Sequence, residues 1–411
     1  MTCAMVFVAV ATALAVPAAS AAPPTSRWIV TIAPAADPTA VARSVGAQSV
    51  RAYTSAMTGF AATLTEQQVS ALGADSRVES LKRDETVATL PRRTEPRARG
   101  PVAPSTQFIP EGVRRIGGLQ SPTARIDGRD QRLNADIAIL DTGVSQHEDL
   151  NIAGGVNCTG DDIGLIDQFG HGTEVAGVAA AIDNRIGTVG SAPGARIWAV
   201  RIFGQTGELT LESLLCGLDY LQANARRIDV AVLAFENRGT PDAPCGRRRV
   251  QPTPGPLRLL PKFEVVDPVH AAICRVTAAG VTLVAAAGND ASDAGNFVPA
   301  AYPQMITVSA VTDTDGLRGG LGPAAFCFNT ERDDTFASYS NFGAVVDISA
   351  PGTCVYTTFP GNQYTTDVGT SFAAPLVAGA VALIKARTPL LPPSRGARDP
   401  CWARRGRAHL R

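Results

Sequence analysis

Apolar residues in the second half of the chain follow two patterns that predict different elements. Short runs at residues 137–140 and 281–287 are apolar at nearly every position, and the first ends at Asp141. Such runs predict strands that are buried on both faces, as in a parallel sheet. Alanine- and valine-rich stretches at residues 175–180 and 373–379 predict helices. The pattern therefore indicates an α/β fold, with a parallel sheet flanked by helices.

A shorter alternation of elements comes earlier, at residues 28–88. Strand-like residues 28–32 and 59–64 are each followed by a helix-like segment, at residues 38–44 and 65–71. Strands and helices of this length predict a small, compact α+β domain.

The N-terminus has the pattern of an export signal. Residues 4–19 are apolar and rich in alanine, and Ala19-Ser20-Ala21 is an A-x-A-like cleavage site, although no Lys or Arg precedes the run. The run is too short to remain as a membrane anchor. Residues 1–21 are therefore predicted to be a signal peptide, and the chain is expected to be secreted and extracellular.

Three further segments are rich in proline and arginine. Residues 89–105 predict an exposed, protease-accessible linker, and residues 246–261 predict an exposed loop with little strand or helix pattern. Residues 388–411 cannot bury an apolar face, which predicts an atypical tail. The main domain is accordingly expected at residues 106–387.

Three polar residues beside glycines stand in the order Asp141, His171 and Ser371. A serine hydroxyl is a poor nucleophile at neutral pH, so an imidazole must take its proton and later return it to the leaving amine. A buried carboxylate fixes the tautomer of that imidazole and stabilises its charged form. The three residues are therefore candidates for the catalytic triad of a serine protease, one of whose known chain orders is Asp, His, Ser.

Two groups could stabilise the oxyanion of such a reaction. Ser371 begins a helix-like run, so backbone N–H groups without helical acceptors lie near it. Asn289 follows the strand-like run 281–287 and its closing glycine. Its side chain is the candidate second donor.

These motifs resemble those of the subtilase family of serine proteases. The matching sequences are Asp-Thr-Gly at 141–143, His-Gly-Thr at 171–173 and Gly-Thr-Ser-Phe-Ala-Ala-Pro at 369–375. The resemblance covers residues 137–386 and is nearest to the proteinase K-like secreted enzymes of actinobacteria. It implies a subtilisin-like three-layer fold and hydrolysis of polypeptide substrates without a catalytic cofactor.

The small N-terminal domain resembles the inhibitor I9-type propeptide of subtilases. Gly59-Phe60-Ala61-Ala62 and residues 77–81 carry this likeness. In the family, this unit chaperones folding, and its C-terminal end lies in the active site until self-cleavage. The resemblance implies that residues 28–88 act as an intramolecular inhibitor and chaperone and that maturation occurs in residues 89–105. A generic accessory domain is the alternative.

The edge of the substrate cleft departs from the family pattern. Subtilases usually have a Ser-Leu-Gly edge strand that pairs with substrate, whereas Ala234, Phe235 and Glu236 stand here. Glycine admits the substrate backbone closely, so Glu236 would narrow the cleft or attract a basic residue. These three residues and Gly288 are the candidate substrate-binding residues, and the preferred substrate stays open.

Asp149 and the polar loop at residues 182–188 resemble a stabilising calcium site of many subtilases. Calcium takes several carboxylate, amide and carbonyl oxygens from a curved loop. An ordinary polar turn without metal is the alternative. The resemblance implies side-chain oxygens from Asp149 and Asn184 and carbonyl oxygens from Ile182, Ile186 and Thr188.

Cysteine usage agrees with an oxidising compartment. There are eight cysteines, of which Cys3 lies in the predicted signal, so an odd number remains. The resemblance implies the pairs Cys245–Cys274 and Cys327–Cys354, with Cys158–Cys216 as a weaker third pair and Cys401 left over.

The balance of charged residues bears on the kind of partner the chain can bind. The chain has 37 basic and 37 acidic residues, which favours neither a nucleic acid nor an anionic membrane as partner. We expect a monomer. Two functions remain open: a secreted serine endopeptidase made as a zymogen, and an inactive truncated relic or peptide-binding pseudoprotease, which the altered cleft edge and the unusual tail would favour.

Overall fold

The computed structural model describes residues 24–90, 106–241, 244–250 and 262–388. The predictions for the signal peptide (1–21), most of the linker (91–105), most of the tail (389–411) and Cys401 lie outside the described residues.

The N-terminal unit is a four-stranded antiparallel sheet in the order β2-β3-β1-β4, with two helices. Asp37 caps the first helix by accepting from the N–H of Thr39, and Thr65 and Gln68 form a capping box on the second. The elements are β1 (Thr25–Ile32), α1 (Pro38–Ser44), β2 (Gln48–Tyr53), β3 (Gly59–Thr65), α2 (Glu66–Gly73), β4 (Val78–Arg83) and, after the sheet, β5 (Thr86–Thr89).

The second unit contains the remaining helices and strands of the described chain. They are α3 (Glu111–Arg115), β6 (Asp136–Asp141), β7 (Ile152–Asn157), α4 (His171–Ala180), β8 (Arg196–Arg201), β9 (Glu208–Thr210), α5 (Leu211–Ala223), β10 (Val230–Leu233), β11 (Asn237–Arg238), β12 (Arg247–Val250), β13 (Lys262–Val265), α6 (Pro268–Ala278), β14 (Thr282–Ala286), β15 (Phe297–Val298), β16 (Met305–Thr312), β17 (Thr335–Phe336), β18 (Ile348–Pro351), β19 (Val355–Phe359), β20 (Gln363–Asp367) and α7 (Thr370–Arg387).

The main sheet has the strand order β17-β16-β14-β10-β6-β8-β7, with β18 beside β16. Its strand pairs are parallel except β16 with β17. Because successive side chains of a strand point to opposite faces, Ile137 and Ile139 pack with α4 and α7, whereas Ala138 and Leu140 pack with α5 and α6. The predicted three-layer α/β fold, preceded by a small α+β domain, is confirmed.

The helix α7 lies against the middle of the sheet. It packs on β10, β14, β16 and β18 and on the neighbouring α4. Within the part of the chain that the structure describes, α7 is the one helix long and apolar enough to cross a membrane, and about half of it is buried in the protein core. Burial of its apolar side chains in the core accounts for that composition.

The N-terminal sheet packs on α5 with one face and on its own helices with the other. In β1, Ile29 joins the core around α5, whereas Val30 and Ile32 join the core formed with α1 and α2. Strand β5 then pairs antiparallel with β9, and the N–H of Leu90 donates to the carbonyl of Gly207 at 2.9 Å. The end of the N-terminal unit is thus fixed to an edge of the second unit.

The sequence analysis did not identify several of the strands, and two of these show why. β2 is mostly exposed and contains Gln, Ser and Arg, and its strand form depends on pairing with β3. β12 begins inside the segment predicted to be an exposed loop, and it pairs with β13. The expectation of little strand structure after Gly246 is therefore wrong for residues 247–250.

The structure contains three disulfides. They join the same cysteines that the sequence analysis expected to pair: Cys158–Cys216, Cys245–Cys274 and Cys327–Cys354.

Candidate active site

Asp141 and His171 meet at the carboxyl edge of the sheet. Asp141 is the last residue of β6, and His171 is the first of α4, after Gly170, whose φ of +101° suits glycine. The Nδ1 of His171 lies 2.8 and 2.9 Å from the two carboxylate oxygens of Asp141. Both side chains are buried. The carboxylate is therefore positioned to fix Nδ1 as the protonated nitrogen and leave Nε2 as a base.

A second buried carboxylate, Asp167, joins the segment after Asp141 to the first turn of α4. Sequence reasoning missed it. Asp167 accepts from the hydroxyls of Thr142 and Thr173 and from the N–H groups of Phe169, Gly170 and Thr173. Burial raises the pKa of Asp167. These bonds fix the residue after Asp141 against the first turn of the helix that carries His171.

Ser371 lies in the first turn of α7, and its side chain is almost buried. Its hydroxyl donates to the carbonyl of Ala234, at 3.0 Å. The next residue, Phe372, makes an edge contact with the His171 ring, with ring centres 5.9 Å apart. Ser371 and His171 thus lie on neighbouring helix ends over the same edge of the sheet.

Asn289 lies beside the start of α7. Its Oδ1 accepts from the N–H and the hydroxyl of Thr370, at 2.9 and 3.0 Å. A backbone N–H can only donate, so this contact identifies the oxygen end of the amide. Its Nδ2 is the donor end and has no hydrogen-bond partner among the described residues. Gly288 binds the same residue, since its N–H donates to the Thr370 hydroxyl.

Glu236 bridges two segments beside Ser371. Its carboxylate accepts from the N–H of Asn289 at 2.8 Å and from Nδ2 of Asn341 at 3.1 Å. A Cβ added to Gly288 would overlap this carboxylate. Burial raises the pKa of Glu236, and the nearby Asp290 raises it further. Sequence reasoning selected Glu236 but gave no sign of Asn341, which lies 105 residues away.

Of the predicted metal ligands, Ile182, Asn184 and Thr188 hydrogen-bond to Asp149, which is fully buried. Its carboxylate accepts from Nδ2 of Asn184, the N–H of Thr188 and the hydroxyl of Tyr364. Burial raises the pKa of Asp149 to about 7. Sequence reasoning missed Tyr364, and it missed Gln107, whose side-chain oxygen accepts from the N–H groups of Asn184 and Arg185.

Oxygen ligands are available around Asp149. Among the described residues, no hydrogen bond reaches the carbonyl oxygens of Ile182, Ile186 and Thr188. The Oδ1 of Asn184 accepts from the N–H of Ile186 and its Nδ2 faces Asp149, so the amide would have to rotate to place its oxygen on an ion beside Asp149. The donor set otherwise fits a calcium ion.

A separate acidic group, absent from the sequence predictions, joins Asp313, Asp315 and Asp333. Backbone N–H groups of Gly316 and Gly322 donate to Asp313 and Asp333 respectively, and Arg115 lies 3.3 Å from Asp313. These donors and the guanidinium offset the charge without a metal.

Two family profiles and several known proteins match this chain. The profile of the subtilase family matches residues 134–399, and that of the peptidase inhibitor I9 matches residues 26–90. An "Alkaline protease" of Alkalihalobacillus alcalophilus is 32% identical over 79% of this chain and 68% of its own length. "Subtilisin Savinase" of Lederbergia lenta is 34% identical over 69% of this chain and 86% of its own length.

A solved structure, "Crystal structure of a cold adapted subtilisin-like serine proteinase", aligns with a TM-score of 0.47 at 25% identity, over 64% of this chain and 78% of that one. The family profile covers well over half of the chain, and an I9 propeptide domain precedes it. The chain therefore belongs to the subtilase family of serine endopeptidases and carries an inhibitor I9 propeptide.

Proposed function

We propose that the chain is a secreted endopeptidase, made as a zymogen, that cleaves peptide bonds with Ser371, His171 and Asp141. The observation that carries this proposal is the buried contact between His171 and Asp141 beside the helix end that holds Ser371. In this arrangement, Nε2 of His171 takes the proton of the Ser371 hydroxyl while the oxygen attacks the peptide carbonyl. The same proton then passes to the leaving amine.

The negative charge that develops on the carbonyl oxygen needs donors in place before the reaction. Nδ2 of Asn289 has no partner within the described part of the chain and can take this role, because Oδ1 is the atom that Thr370 binds. The N–H of Ser371 lies in the first turn of α7, where N–H groups have no helical acceptor. Together they would form the oxyanion hole.

Labelling with an active-serine phosphonate tests this function directly. We expect the wild-type chain to gain one adduct, located at Ser371 by peptide mass mapping, and to hydrolyse casein before labelling but not after it. A folded chain that neither reacts nor hydrolyses casein would show that the triad is not functional.

Secretion is supported by two features. Residues 1–21 have the composition of a signal peptide, and three disulfides join six cysteines of the described chain. Disulfides persist mainly in oxidising compartments, which include the extracellular space. A monomer is the form we propose.

The propeptide is proposed to inhibit the enzyme and to assist its folding. Its strand β5 lies along β9, and Leu90 after it contacts Gly207, which lies against Phe169, two residues before His171. We infer that the propeptide end covers one edge of the cleft. Polar contacts anchor the domain on α5: Asp219 accepts from the N–H groups of Ser55 and Ala56, and Glu212 pairs with Arg27 at 2.6 Å. A propeptide bound at this edge would exclude substrate and keep the zymogen inactive.

Replacing Asp219 with alanine is expected to shorten the lag between self-cleavage and full activity. Each hydrogen bond to a charged carboxylate contributes about 1.5–3 kcal/mol, so the cleaved propeptide should bind at least tenfold more weakly. The lag is measured with a fluorogenic peptide after maturation begins. Glu66→Ala is the matched control, because Glu66 is exposed and lies outside this interface. Equal lags in both variants would count against the anchoring role.

A structural calcium ion is proposed at Asp149. A fully buried carboxylate without a paired cation is costly, and a cation beside it would offset that cost. Asp149, Asn184 and the carbonyl oxygens of Ile182, Ile186 and Thr188 would hold the ion. Its role would be to stabilise the fold, with no part in the chemistry.

Removal of calcium by a chelator is expected to lower the melting temperature by about 5–10 °C. A ligand present at 100 times its dissociation constant stabilises by about 2.7 kcal/mol, and 1 kcal/mol corresponds to about 2–4 °C in a domain of this size. Calorimetry of the Ser371→Ala chain with and without calcium measures this shift. Asp149→Asn should abolish it, whereas Glu148→Gln, at an exposed neighbour, should keep it.

The second candidate function, a peptide-binding pseudoprotease, is favoured by one observation. The carboxylate of Glu236 lies against Gly288 and Asn289, at a position where the family usually has glycine, and it could block a substrate. The phosphonate experiment separates the two functions, since a pseudoprotease would bind peptides without being labelled.

A further inference from the structure

The carboxylate of Glu236 lies between two chain segments, one of which contacts Ser371 and the other the start of its helix. Strands β10 and β14 are parallel neighbours, with Leu233 opposite Ala285, so the segments that follow them run side by side past Ser371. Ala234 contacts the Ser371 hydroxyl, and Glu236 reaches from the first segment to Gly288 and Asn289 on the second. The carboxylate of Glu236 therefore spans the gap between the two segments.

This carboxylate is held in place by groups that are themselves fixed. Nδ2 of Asn341 donates both to Glu236 and to the carbonyl of Ala287, at 3.1 and 3.0 Å. Its Oδ1 accepts from the N–H groups of Asp290 and Ser292, each at 3.0 Å. Glu236 is therefore a positioned anion, and it remains partly open to solvent.

The charge of Glu236 has no cation bound to it within the described ranges. Arg238, two residues along, instead pairs with Asp290 at 2.8 Å and lies over the ring of Phe297. Its side chain is 74% exposed. Two hydrogen bonds occupy about half of the acceptor positions of a carboxylate, so Glu236 can accept further donors from a ligand.

We propose that Glu236 selects arginine or lysine at the substrate residue immediately before the scissile bond. The inference rests on the proposed function, since it assigns a substrate class to the same site. The side chain of that residue starts next to Ser371 and extends into the gap that Glu236 spans. A long cationic side chain can reach the carboxylate and bind it, whereas a large apolar side chain would bury the charge without a partner.

The chain's own processing segment agrees with this preference. The described propeptide ends at Leu90, on the cleft edge, and self-cleavage must occur between it and the main domain. Residues 91–105 contain four arginines and no lysine, aromatic residue, leucine or methionine. Apart from Glu95, whose charge Glu236 would repel, the long side chains of this segment that could enter the gap are those of Arg92, Arg93, Arg97 and Arg99.

Matched peptides that differ only before the scissile bond test the proposal. We expect the wild-type chain, after maturation, to cleave after arginine with a kcat/KM about 100-fold higher than after glutamine or phenylalanine. The propeptide fragment should end in arginine by intact mass. Glu236→Gln, which keeps the shape and removes the charge, should lower the arginine-to-glutamine ratio at least tenfold.

Asp130→Asn is the control for general charge loss, because Asp130 is an exposed carboxylate that pairs with an arginine two residues away, Arg132, and has no contact with Glu236 among the described residues. It should change the ratio less than threefold. Should Glu236→Gln fail to fold, inactivation of wild type by peptidyl chloromethyl ketones ending in arginine or phenylalanine gives the same comparison.

The outcomes separate this inference from the proposed function. A labelled, active chain that prefers phenylalanine, or a ratio that Glu236→Gln leaves unchanged, overturns the specificity proposal alone. If wild type reacts with the phosphonate but cleaves none of the peptides, and Glu236→Gly gains cleavage after phenylalanine, the carboxylate blocks the pocket and does not select. A chain that is not labelled overturns both.

Discussion

Replacing Ser371 with alanine is expected to leave the zymogen uncut, whereas the wild type loses a fragment ending between Ala88 and Thr106. Alanine removes the only atom that can form the acyl-enzyme, so the remaining donors can stabilise a transition state but cannot start the covalent step. The expected loss in turnover is about 10⁶-fold, a magnitude borrowed from a subtilisin, a relative of this chain. Intact mass spectrometry of residues 22–411 after incubation with calcium measures the cut.

The result distinguishes self-cleavage from contamination by another protease. Ser349→Ala, on β18 and exposed, should mature like wild type. The Ser371→Ala chain should be cut in trans when a trace of active wild type is added, because its processing segment is unchanged. Cutting of Ser371→Ala alone, at the wild-type position and rate, would refute the assignment of the nucleophile.

Loss of the Asn289 side chain is expected to lower kcat about 10²- to 10³-fold with little change in KM. The side-chain donor binds the charge that develops on the carbonyl oxygen, so its removal affects the transition state more than the bound substrate. The magnitude again comes from a subtilisin, where the corresponding loss is about 2.7–4 kcal/mol. Steady-state kinetics on the best peptide measure both constants.

Two variants separate the donor role of Asn289 from its structural role. Asn289→Ala removes both the Nδ2 donor and the acceptor for Thr370, whereas Asn289→Asp keeps an acceptor for Thr370. Similar losses in both variants indicate the donor role. Asn224→Ala, at the end of α5, removes a remote amide and should not affect kcat. A change below threefold in both Asn289 variants would exclude this residue from the oxyanion hole.

The layers of the fold could be predicted from sequence because each buried strand is a short apolar run with a sharp end. Residues 137–140 and 281–287 contain the central strands β6 and β14, with boundaries within about one residue. In contrast, β2 has no such run, and its strand form depends on a hydrogen-bonded neighbour that local sequence does not reveal.

The candidate site was predictable where chemistry constrains residue type and glycine marks a tight turn. Asp141 and His171 satisfy both conditions, and their side chains are in contact. The supporting residues Asp167, Asn341 and Tyr364 were not predictable. An aspartate or asparagine in a loop and a tyrosine in a strand are common, and the partner lies far away in the chain, as with Tyr364 and Asp149, 215 residues apart.

The position of α7 in the chain sets the time at which activity can appear. This helix supplies Ser371 and covers the middle of the sheet, yet it is the last described element. A growing chain that has passed residue 171 but has not yet reached residue 371 contains Asp141 and His171 without Ser371, and its sheet lacks the cover of α7. Because the propeptide is synthesised before the proposed nucleophile, a nascent chain of this length would be unable to digest itself or its neighbours by the proposed mechanism.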